Sequence, residues 1–465
     1  MVFSSSIFLL FFLPLVIFGY YLLNRNYRIH FLLLASLCFY AWGEPKYIVL
    51  MVFSIVINYC FGIFIHLNSE KMRFSKFLLI LAILCNLGIL FYFKYFNFML
   101  DTVNLFAGTN FVYRNIILPI GISFYLFQGM SYLIDLYWKK VGVQKNPVKV
   151  AFYIAFFPQL MAGPIIRYSD IQEQISNRTE SIEKFVSGAQ RFVIGLAKKV
   201  LIADNLAVVA DQVFANPALE NTCASAWLGI ICFTFQLYFD FSGYSCMAIG
   251  LAKMFGFEFK ENFDYPYISK TMSEFWRRWH ISLSSWFRDY VYIPLGGSKK
   301  GNTYFNLFFV FVITGLWHGA NFNCVLWGVW IGIVLMIERI FKMQDVKNKK
   351  FIPIRYIITM FLFIIGLAIF RSPGLFYARD FIGIMFGILS PKNVGFLMEY
   401  YLSPKIIILL IVSIIACTPI SKLPLKFYNT AVWKTAMPVL NLVLLVVCII
   451  FITAASFTAF IYFRF

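Results

Sequence analysis

Charged side chains are scarce in this sequence. Asp, Glu, Lys and Arg together make up 13% of its 465 residues, about half the share found in soluble domains. Hydrophobic residues make up 61% and aromatic residues 20%, and no stretch is polar enough to form a domain in water. This composition excludes a soluble globular protein and predicts an all-α polytopic membrane protein, formed by a single integral membrane domain over residues 1–465.

The sequence also lacks the cysteine patterns of metal-binding and disulfide-rich proteins. Its nine cysteines lie mostly inside apolar segments, and no two of them form a CxxC pair. Neither a zinc site nor a disulfide framework is therefore indicated. We expect no metal site and no bound cofactor.

Acidic residues are half as numerous as basic ones, at 21 against 40, which gives a net charge of +19. The basic residues form short clusters between apolar runs, as in cytoplasmic loops beside anionic lipid. This pattern argues against a nucleic-acid partner and predicts contact with the bilayer instead. The alternation places the N-terminus outside the cytoplasm, with three cytoplasmic clusters early in the chain: Arg25 and Arg28; Lys71, Arg73 and Lys76; Lys139, Lys140 and Lys145.

Long apolar runs dominate the rest of the chain. A helix needs about 20 residues to cross the hydrocarbon core, and several runs are shorter, so we expect broken or re-entrant helices among them. Residues 165–220 form the one long mixed stretch, which predicts amphipathic helices at the membrane interface with Lys198 and Lys199 on the polar face. The candidate spans lie near 6–23, 29–42, 47–67, 77–99, 115–137, 224–252, 304–318, 322–342, 356–371, 376–390, 405–420 and 436–462.

A few polar residues interrupt these apolar runs, and at membrane depth such residues mark buried sites. The chain has four histidines, and two of them, His280 and His318, lie in polar islands. A neutral imidazole in a partly dry site can accept a proton from a hydroxyl or carry an acyl group. The alternative is that each imidazole only hydrogen-bonds a neighbouring helix.

Three arginines, Arg277, Arg278 and Arg288, flank His280 in the sequence. Their guanidinium groups suit phosphate or pyrophosphate better than lysine does, although a basic belt that reaches lipid headgroups is the alternative. Asp135 and Asp240 interrupt other apolar runs. They are either proton carriers of a transporter or partners of the arginines that fix the fold, and we favour the structural role.

Several long stretches, in order, resemble the membrane-bound O-acyltransferase (MBOAT) family, in the bacterial branch that contains the alginate O-acetylation membrane protein (AlgI-type). The resemblance covers most of residues 1–345, with a motif-bearing core at about 115–345. It implies a multi-helix bundle around a transmembrane funnel or tunnel, with interfacial and re-entrant helices, in the inner or cytoplasmic membrane of a bacterium. The matching stretches are "FLLLASLCFYAWGEPKY", "LPIGISFYLFQGMSYLIDLYW", "FFPQLMAGPIIRYSDI", "YFDFSGYSCMAIGLAKMFGF", "FWRRWHISLSSWFRDYVYIPLGG" and "GLWHGANFNCVLWG".

The resemblance also implies roles for individual residues. His318, in "GLWHG", matches the principal catalytic histidine, and His280, in "FWRRWH", matches the second functional polar position. Cys246 stands where this branch usually has an aspartate, so no role of that carboxylate is carried over. The predicted substrate-binding or donor-binding residues are Arg277, Arg278 and Arg288 for the phosphates of an acyl carrier, Trp317 and Asn321 for the oxyanion, and Asp240 and Gln128.

The function implied by the resemblance is transfer of an acetyl group from cytoplasmic acetyl-CoA across the membrane, for O-acetylation of an extracytoplasmic cell-surface polysaccharide. An extracytoplasmic SGNH-type acetyltransferase or esterase is the implied partner. The same fold could instead transfer D-alanine to teichoic acid or acylate a lipid or protein hydroxyl. More distant alternatives are a proton-coupled transporter that uses Asp135, Asp240 and the histidines, and a membrane scaffold.

Overall fold

The computed structural model describes residues 1–112, 115–161, 163–343, 352–420 and 431–454, with side chains in the last range from residue 436 onward. Every regular element in these ranges is a helix, which confirms the predicted all-α class. The chain divides into two compact units. The first comprises Met1–Phe192 and Tyr244–Lys260, and the second comprises Val193–Gly243 and Glu261–Phe465.

The first unit contains the N-terminal helices and the end of a helix that begins in the second unit. Left-handed or extended residues, or prolines at the first turn, separate most of these helices. The helices are α1 Leu13–Leu22, α2 Arg28–Gly43, α3 Ile48–Leu67, α4 Met72–Leu90, α5 Phe96–Ala107, α6 Ile122–Tyr137, α7 Pro147–Ala155, α8 Phe157–Leu160, α9 Tyr168–Asn177 and α10 Ile182–Ala197. The end of α10, from Val193 onward, belongs to the second unit.

Buried amides connect the helices of the first unit. Asn58 of α3 donates a hydrogen bond to Oδ1 of Asn86 of α4 over 3.1 Å, and both side chains are buried. Gly129 of α6 lies against the same amide, since a Cβ atom at Gly129 would lie 2.6 Å from Nδ2 of Asn58. Such polar contacts and close approaches hold membrane helices together, because lipid tails provide little hydrophobic drive between helices.

A buried ion cluster connects the first helices to the segment after α9. The guanidinium of Arg178 donates to the hydroxyl of Tyr20 over 3.1 and 3.0 Å and pairs with Glu180 over 3.2 Å. Arg28 pairs with the same glutamate. Because Arg178 is 5% exposed, removing Glu180 would leave the buried charge of Arg178 uncompensated.

The second unit contains the remaining helices, and α12 continues from it into the first unit. These helices are α11 Asp204–Ala215, α12 Cys223–Met254, α13 Met272–Arg278, α14 Ile281–Phe287, α15 Thr303–His318, α16 Phe322–Ile340, α17 Ile352–Arg371, α18 Leu375–Met385, α19 Met398–Tyr401, α20 Pro404–Ala416 and α21 Ala431–Ala454.

Glycines let α15 and α16 approach closely in the second unit. A Cβ atom at Gly315 would lie 2.4 Å from the carbonyl oxygen of Cys324 and 3.0 Å from Cα of Gly328. A Cβ atom at Gly328 would lie 2.4 Å from the carbonyl oxygen of Phe311. This contact of small residues fixes the end of α15, and with it His318, against α16.

Several helices are long and apolar enough to cross a membrane, which confirms a multi-pass membrane protein. Not every predicted span has that length: α6 and α18 have 16 and 11 residues. The end of the predicted span 436–462 lies partly outside the described residues. In the described part of the chain, six helical stretches meet the length and composition of a span: Ile48–Leu67, Met72–Ala107, Cys223–Met254, Phe322–Ile340, Ile352–Arg371 and Ala436–Ala454.

The mixed stretch at 165–220 forms helices, as predicted, but Lys199 does not lie on an exposed polar face. It belongs to a wide π-helical turn, Lys198–Ala203, between α10 and α11, and it is 3% exposed. The prediction for Lys199 was wrong because the sequence does not distinguish a buried lysine that pairs with carboxylates from a solvated one.

Candidate active site

His318 is the last residue of α15 and lies in an aromatic enclosure. The residue is 6% exposed, and three rings surround its imidazole edge to face. The ring-centre distances are 5.0 Å to Trp317, 5.1 Å to Trp327 and 5.7 Å to Phe370. A small cavity of about 20 Å³ lies here, lined by His318, Trp276, Trp279, Trp327, Phe363 and Phe370 together with two leucines. We call this set of residues the histidine cage.

His280 precedes α14 in a strained backbone conformation. Its φ of 43° and ψ of 54° lie in the left-handed region, which costs a residue with a Cβ atom about 1–3 kcal/mol. The side chain is fully buried. Strain of this kind persists where the surroundings hold the residue in place, and it is frequent at functional sites.

Asn262 supplies those surroundings and determines the tautomer of His280. Its Oδ1 atom accepts hydrogen bonds from the backbone N–H and the hydroxyl of Ser282, over 3.1 and 2.9 Å. A backbone N–H can only donate, so this amide atom must be the oxygen. Nδ1 of His280 lies 3.2 Å from the same oxygen and must therefore carry the proton. In the neutral imidazole, Nε2 then holds the lone pair and can act as a base.

The buried position of His280 also determines the charge of its imidazole. Burial lowers the pKa of its imidazole well below the ordinary value, and the nearby His318 lowers this pKa further. Desolvation disfavours the charged form of a histidine. His280 is therefore neutral at physiological pH.

Trp317 connects the two histidines. Its indole centre lies 6.2 Å from the centre of the His280 ring and 5.0 Å from that of His318. Phe241 of α12 covers another side of His280 at 4.6 Å. The structure thus brings both predicted histidines into one aromatic layer, although His280 precedes α14 and His318 ends α15.

A second and much larger cavity, of about 370 Å³, lies beside the cage. It follows α15 from Leu307 to Thr314, and Thr314 is one turn before His318, about 6 Å along the helix axis. We call it the guanidinium cavity, and its polar lining includes Arg277, Arg288, Arg339, Ser284, Ser285 and Tyr292.

The three predicted arginines have different surroundings in the structure. Arg277 and Arg288 line the guanidinium cavity, whereas Arg278 pairs with Glu274 over 2.9 Å and with Asp264 over 3.3 Å and is not in the lining. Arg339 of α16 takes its place, a residue that the sequence did not single out. Within the described ranges, neither Arg277 nor Arg339 forms an ion pair with a carboxylate, so both keep their charge for an anion.

Asp240 has a lysine as its ion-pair partner, where pairing with arginine was expected. Nζ of Lys199 lies 3.0 Å from Asp240 and 2.5 Å from Asp204. Burial lowers the pKa of this lysine, but the two carboxylates raise it more, and it ends above the ordinary value. Lys199 is therefore the structural ion-pair partner of Asp240. Asp240 directly precedes Phe241, which contacts His280.

The other predicted residues have different positions. Asn321 is exposed, and its Oδ1 atom caps α16 by accepting from the N–H of Cys324 over 2.8 Å. Gln128 is fully buried on α6 and belongs to the first unit, whereas the histidines belong to the second. Asp135, also in the first unit, lies 3.7 Å from Lys140. In the described part of the chain, no three His, Cys, Asp or Glu side chains form a group that could hold a metal ion.

Comparison with known proteins identifies the family of this chain. The family model described as "MBOAT, membrane-bound O-acyltransferase family" matches residues 89–378. The chain belongs to the membrane-bound O-acyltransferase family. It is thus an acyltransferase with several membrane-spanning helices, and the resemblance drawn from its motifs is confirmed.

This MBOAT protein has relatives with several acceptors in their names. It is 47% identical over 393 residues to "Probable alginate O-acetylase AlgI" of Pseudomonas putida, which covers 83% of this chain and 80% of the relative. It is 36% identical over 411 residues to "Peptidoglycan O-acetyltransferase" of Helicobacter pylori, with coverage of 81% and 78%. It is 27% identical over 256 residues to "Teichoic acid D-alanyltransferase" of Bacillus subtilis, with coverage of 52% and 63%.

Proposed function

We propose that this acyltransferase moves an acetyl group from cytoplasmic acetyl-CoA to a hydroxyl of a polysaccharide on the outer side of the membrane. The observation that carries the proposal is the guanidinium cavity, which leads along α15 to within one turn of His318. The names of the more similar relatives, which describe O-acetyl transfer to alginate and peptidoglycan, support the acetyl group and the class of acceptor.

The guanidinium cavity supplies the donor site. Arg277, Arg288 and Arg339 line it and match phosphate oxygens in charge and geometry. With the phosphates of acetyl-CoA held there, the thioester end of the donor points along α15 toward His318. The hydroxyl groups of Ser284 and Ser285 also line this cavity. Each donates to a backbone carbonyl and can accept a hydrogen bond from the donor.

His318 carries the chemistry by one of two routes. As a general base, it takes the proton of the acceptor hydroxyl while the oxygen attacks the thioester carbon, and it then returns the proton to the leaving CoA thiolate. As a nucleophile, an imidazole nitrogen attacks the thioester, releases CoA and forms an acyl-imidazole, which the acceptor hydroxyl then attacks. His280, neutral and with Nε2 as the acceptor, binds the hydroxyl on the other side of Trp317.

The remaining assignments concern the surroundings of the protein. The bilayer is the cytoplasmic membrane of a bacterium, with the N-terminus on the outer side. An SGNH-type protein outside the membrane receives the acetyl group or directs it to the polysaccharide. Trp317 and the amide of Asn321 are the proposed oxyanion donors.

D-alanyl transfer is the second candidate. The relative from Bacillus subtilis supports it, and a guanidinium cavity would bind the phosphate of any phosphopantetheine thioester. Supplying a D-alanyl thioester beside acetyl-CoA separates the two functions, since only the true donor loses its acyl group.

The test uses the purified protein in nanodiscs with acetyl-CoA labelled in the acetyl group. It compares the wild type, His318→Ala and, as a matched histidine control, His30→Ala on the exposed face of α2. Loss of His318 should lower CoA release at least about 100-fold, since general-base catalysis contributes that much or more. His30→Ala should release CoA like the wild type.

The assay is then repeated with an SGNH partner and polysaccharide, after both variants are shown to fold. Equal CoA release by His318→Ala and the wild type would contradict the assignment of His318. No consumption of either thioester in the presence of the partner, together with movement of a solute driven by a pH gradient, would favour a transporter. Label retained on wild-type protein after rapid quenching would distinguish the acyl-imidazole from the general-base route.

A further inference from the structure

Trp276 of α13 lies between the two cavities described above. Among the described residues it is the one that lines both of them, with Arg277 beside it in the guanidinium cavity and His318 beside it in the cage. Its indole contacts Phe311 on the side of the guanidinium cavity at 5.1 Å and Trp327 on the side of the cage at 5.7 Å. The indole of Trp276 therefore lies between the arginines of the guanidinium cavity and His318 of the cage.

The two cavities differ greatly in size. The guanidinium cavity has about 370 Å³, whereas the cage has about 20 Å³, which is room for the centre of one water-sized group. A methyl group has nearly that size, so the cage accommodates the methyl of an acetyl group. A longer acyl chain would need the cage wall to move.

The cage also offers hydrogen-bond donors. Trp276 and Trp327 are 8% and 4% exposed, and within the described ranges neither indole N–H has a hydrogen-bond acceptor. A buried N–H without an acceptor is unfavourable, and a tryptophan can only donate. The carbonyl oxygen of a thioester is an acceptor of suitable chemistry for either N–H.

From these observations we propose that Trp276 is a specificity-determining residue, which closes the cage against long acyl chains and donates its N–H to the carbonyl oxygen of the thioester. The inference rests on the proposed function and adds the limit on chain length to it. Trp276 thus makes two separable contributions, one from the volume of its ring and one from its N–H.

The experiment measures CoA release from acetyl-, propionyl- and butyryl-CoA. Trp276→Leu removes volume, and it should raise the butyryl-to-acetyl rate ratio about tenfold or more, since one methylene in an apolar pocket is worth that much in discrimination. Trp276→Phe keeps an aromatic ring but loses the N–H. It should lower the rate of CoA release from all three donors without changing which donor reacts fastest. Trp286→Leu is the matched control, because Trp286 is buried on α14 but lines neither cavity.

The outcomes separate this inference from the proposed function. Unchanged ratios in Trp276→Leu, with acetyl-CoA still consumed in a His318-dependent manner, would overturn the role of Trp276 and leave the proposed function standing. An equal change in Trp286→Leu would overturn it too, because the effect would not be local. If Trp276→Leu does not fold, Trp276→Met replaces it, since methionine is narrow and adapts to irregular space. Absence of turnover in the wild type with every donor and partner would overturn both.

Discussion

The Nδ1 atom of His280 lies 3.2 Å from Oδ1 of Asn262. Through this contact Asn262 fixes the tautomer of the imidazole next to the strained backbone of His280. The same oxygen accepts from the N–H of Ser282, and the backbone oxygen of Asn262 accepts from the N–H of Ile281 over 2.9 Å. One asparagine thus holds both the ring and the peptide that follows it. Asn262 acts through His280 and is a positioning residue.

Replacing Asn262 tests this relationship. Asn262→Ala leaves the N–H groups of His280 and Ser282 without their acceptor, which should lower the free energy of unfolding by about 1–3 kcal/mol and reduce acetyl transfer. Asn262→Asp keeps an acceptor but adds a negative charge, which raises the pKa of the imidazole. Because His280 must be neutral for its Nε2 atom to accept a hydrogen bond from the acceptor hydroxyl, the acid limb of the pH profile should move to higher pH in Asn262→Asp.

The pH profile of CoA release and thermal unfolding in detergent measure these two effects. Asn58→Ala is the control, because Asn58 is also a buried asparagine that hydrogen-bonds a partner amide, but it lies in the first unit. It should lower stability without moving the pH profile. A profile that is the same in Asn262→Asp and the wild type would show that His280 does not titrate in the rate-determining step.

Two adjacent arginines should respond differently to the same substitution. Arg277→Ala removes a guanidinium from the cavity lining and should raise the KM for acetyl-CoA about tenfold, the value of roughly one charge-assisted hydrogen bond. Arg278→Ala breaks pairs with Glu274 and Asp264 and should leave KM unchanged. Its cost is in stability, about 0.2–1 kcal/mol, because Arg278 is partly exposed.

Steady-state kinetics with acetyl-CoA at two salt concentrations provide the measurement. The KM of the wild type should rise with salt and that of Arg277→Ala should rise less, since a charge that salt screens has been removed. Arg339→Ala should behave like Arg277→Ala, because Arg339 lines the same cavity. The donor site would have to be elsewhere if Arg278→Ala raised KM and Arg277→Ala did not.

Much of this architecture is predictable from the sequence, because membrane helices must be apolar and about 20 residues long. The burial of the two histidines was also predictable, since histidine is rare here and both lie in polar islands. The contacts between distant positions were not. Arg277 and Arg278 are adjacent and share their sequence surroundings, and only the fold shows that Arg278 faces Glu274 and Asp264 while Arg339 joins Arg277.

Lys199 and Asp240 form a buried pair that should be essential for stability. Lys199→Met would leave Asp240 and Asp204 without their shared cation, which should cost about 3–5 kcal/mol, as for other buried pairs that lose one partner. Asp240→Asn should cost less, because Lys199 keeps its contact of 2.5 Å with Asp204. Thermal unfolding in detergent, together with expression level, ranks the stability of the wild type, Lys199→Met and Asp240→Asn.

A double substitution separates the charge from the packing. Lys199→Met combined with Asp240→Leu removes both charges of the 3.0 Å pair and should recover part of the stability lost in Lys199→Met, because replacing a buried pair by apolar residues is often neutral. Phe241 contacts His280 at 4.6 Å, so acetyl transfer should follow stability in this series. If Lys199→Met kept wild-type stability but lost its activity, Lys199 and Asp240 would have to act in the reaction rather than in the fold.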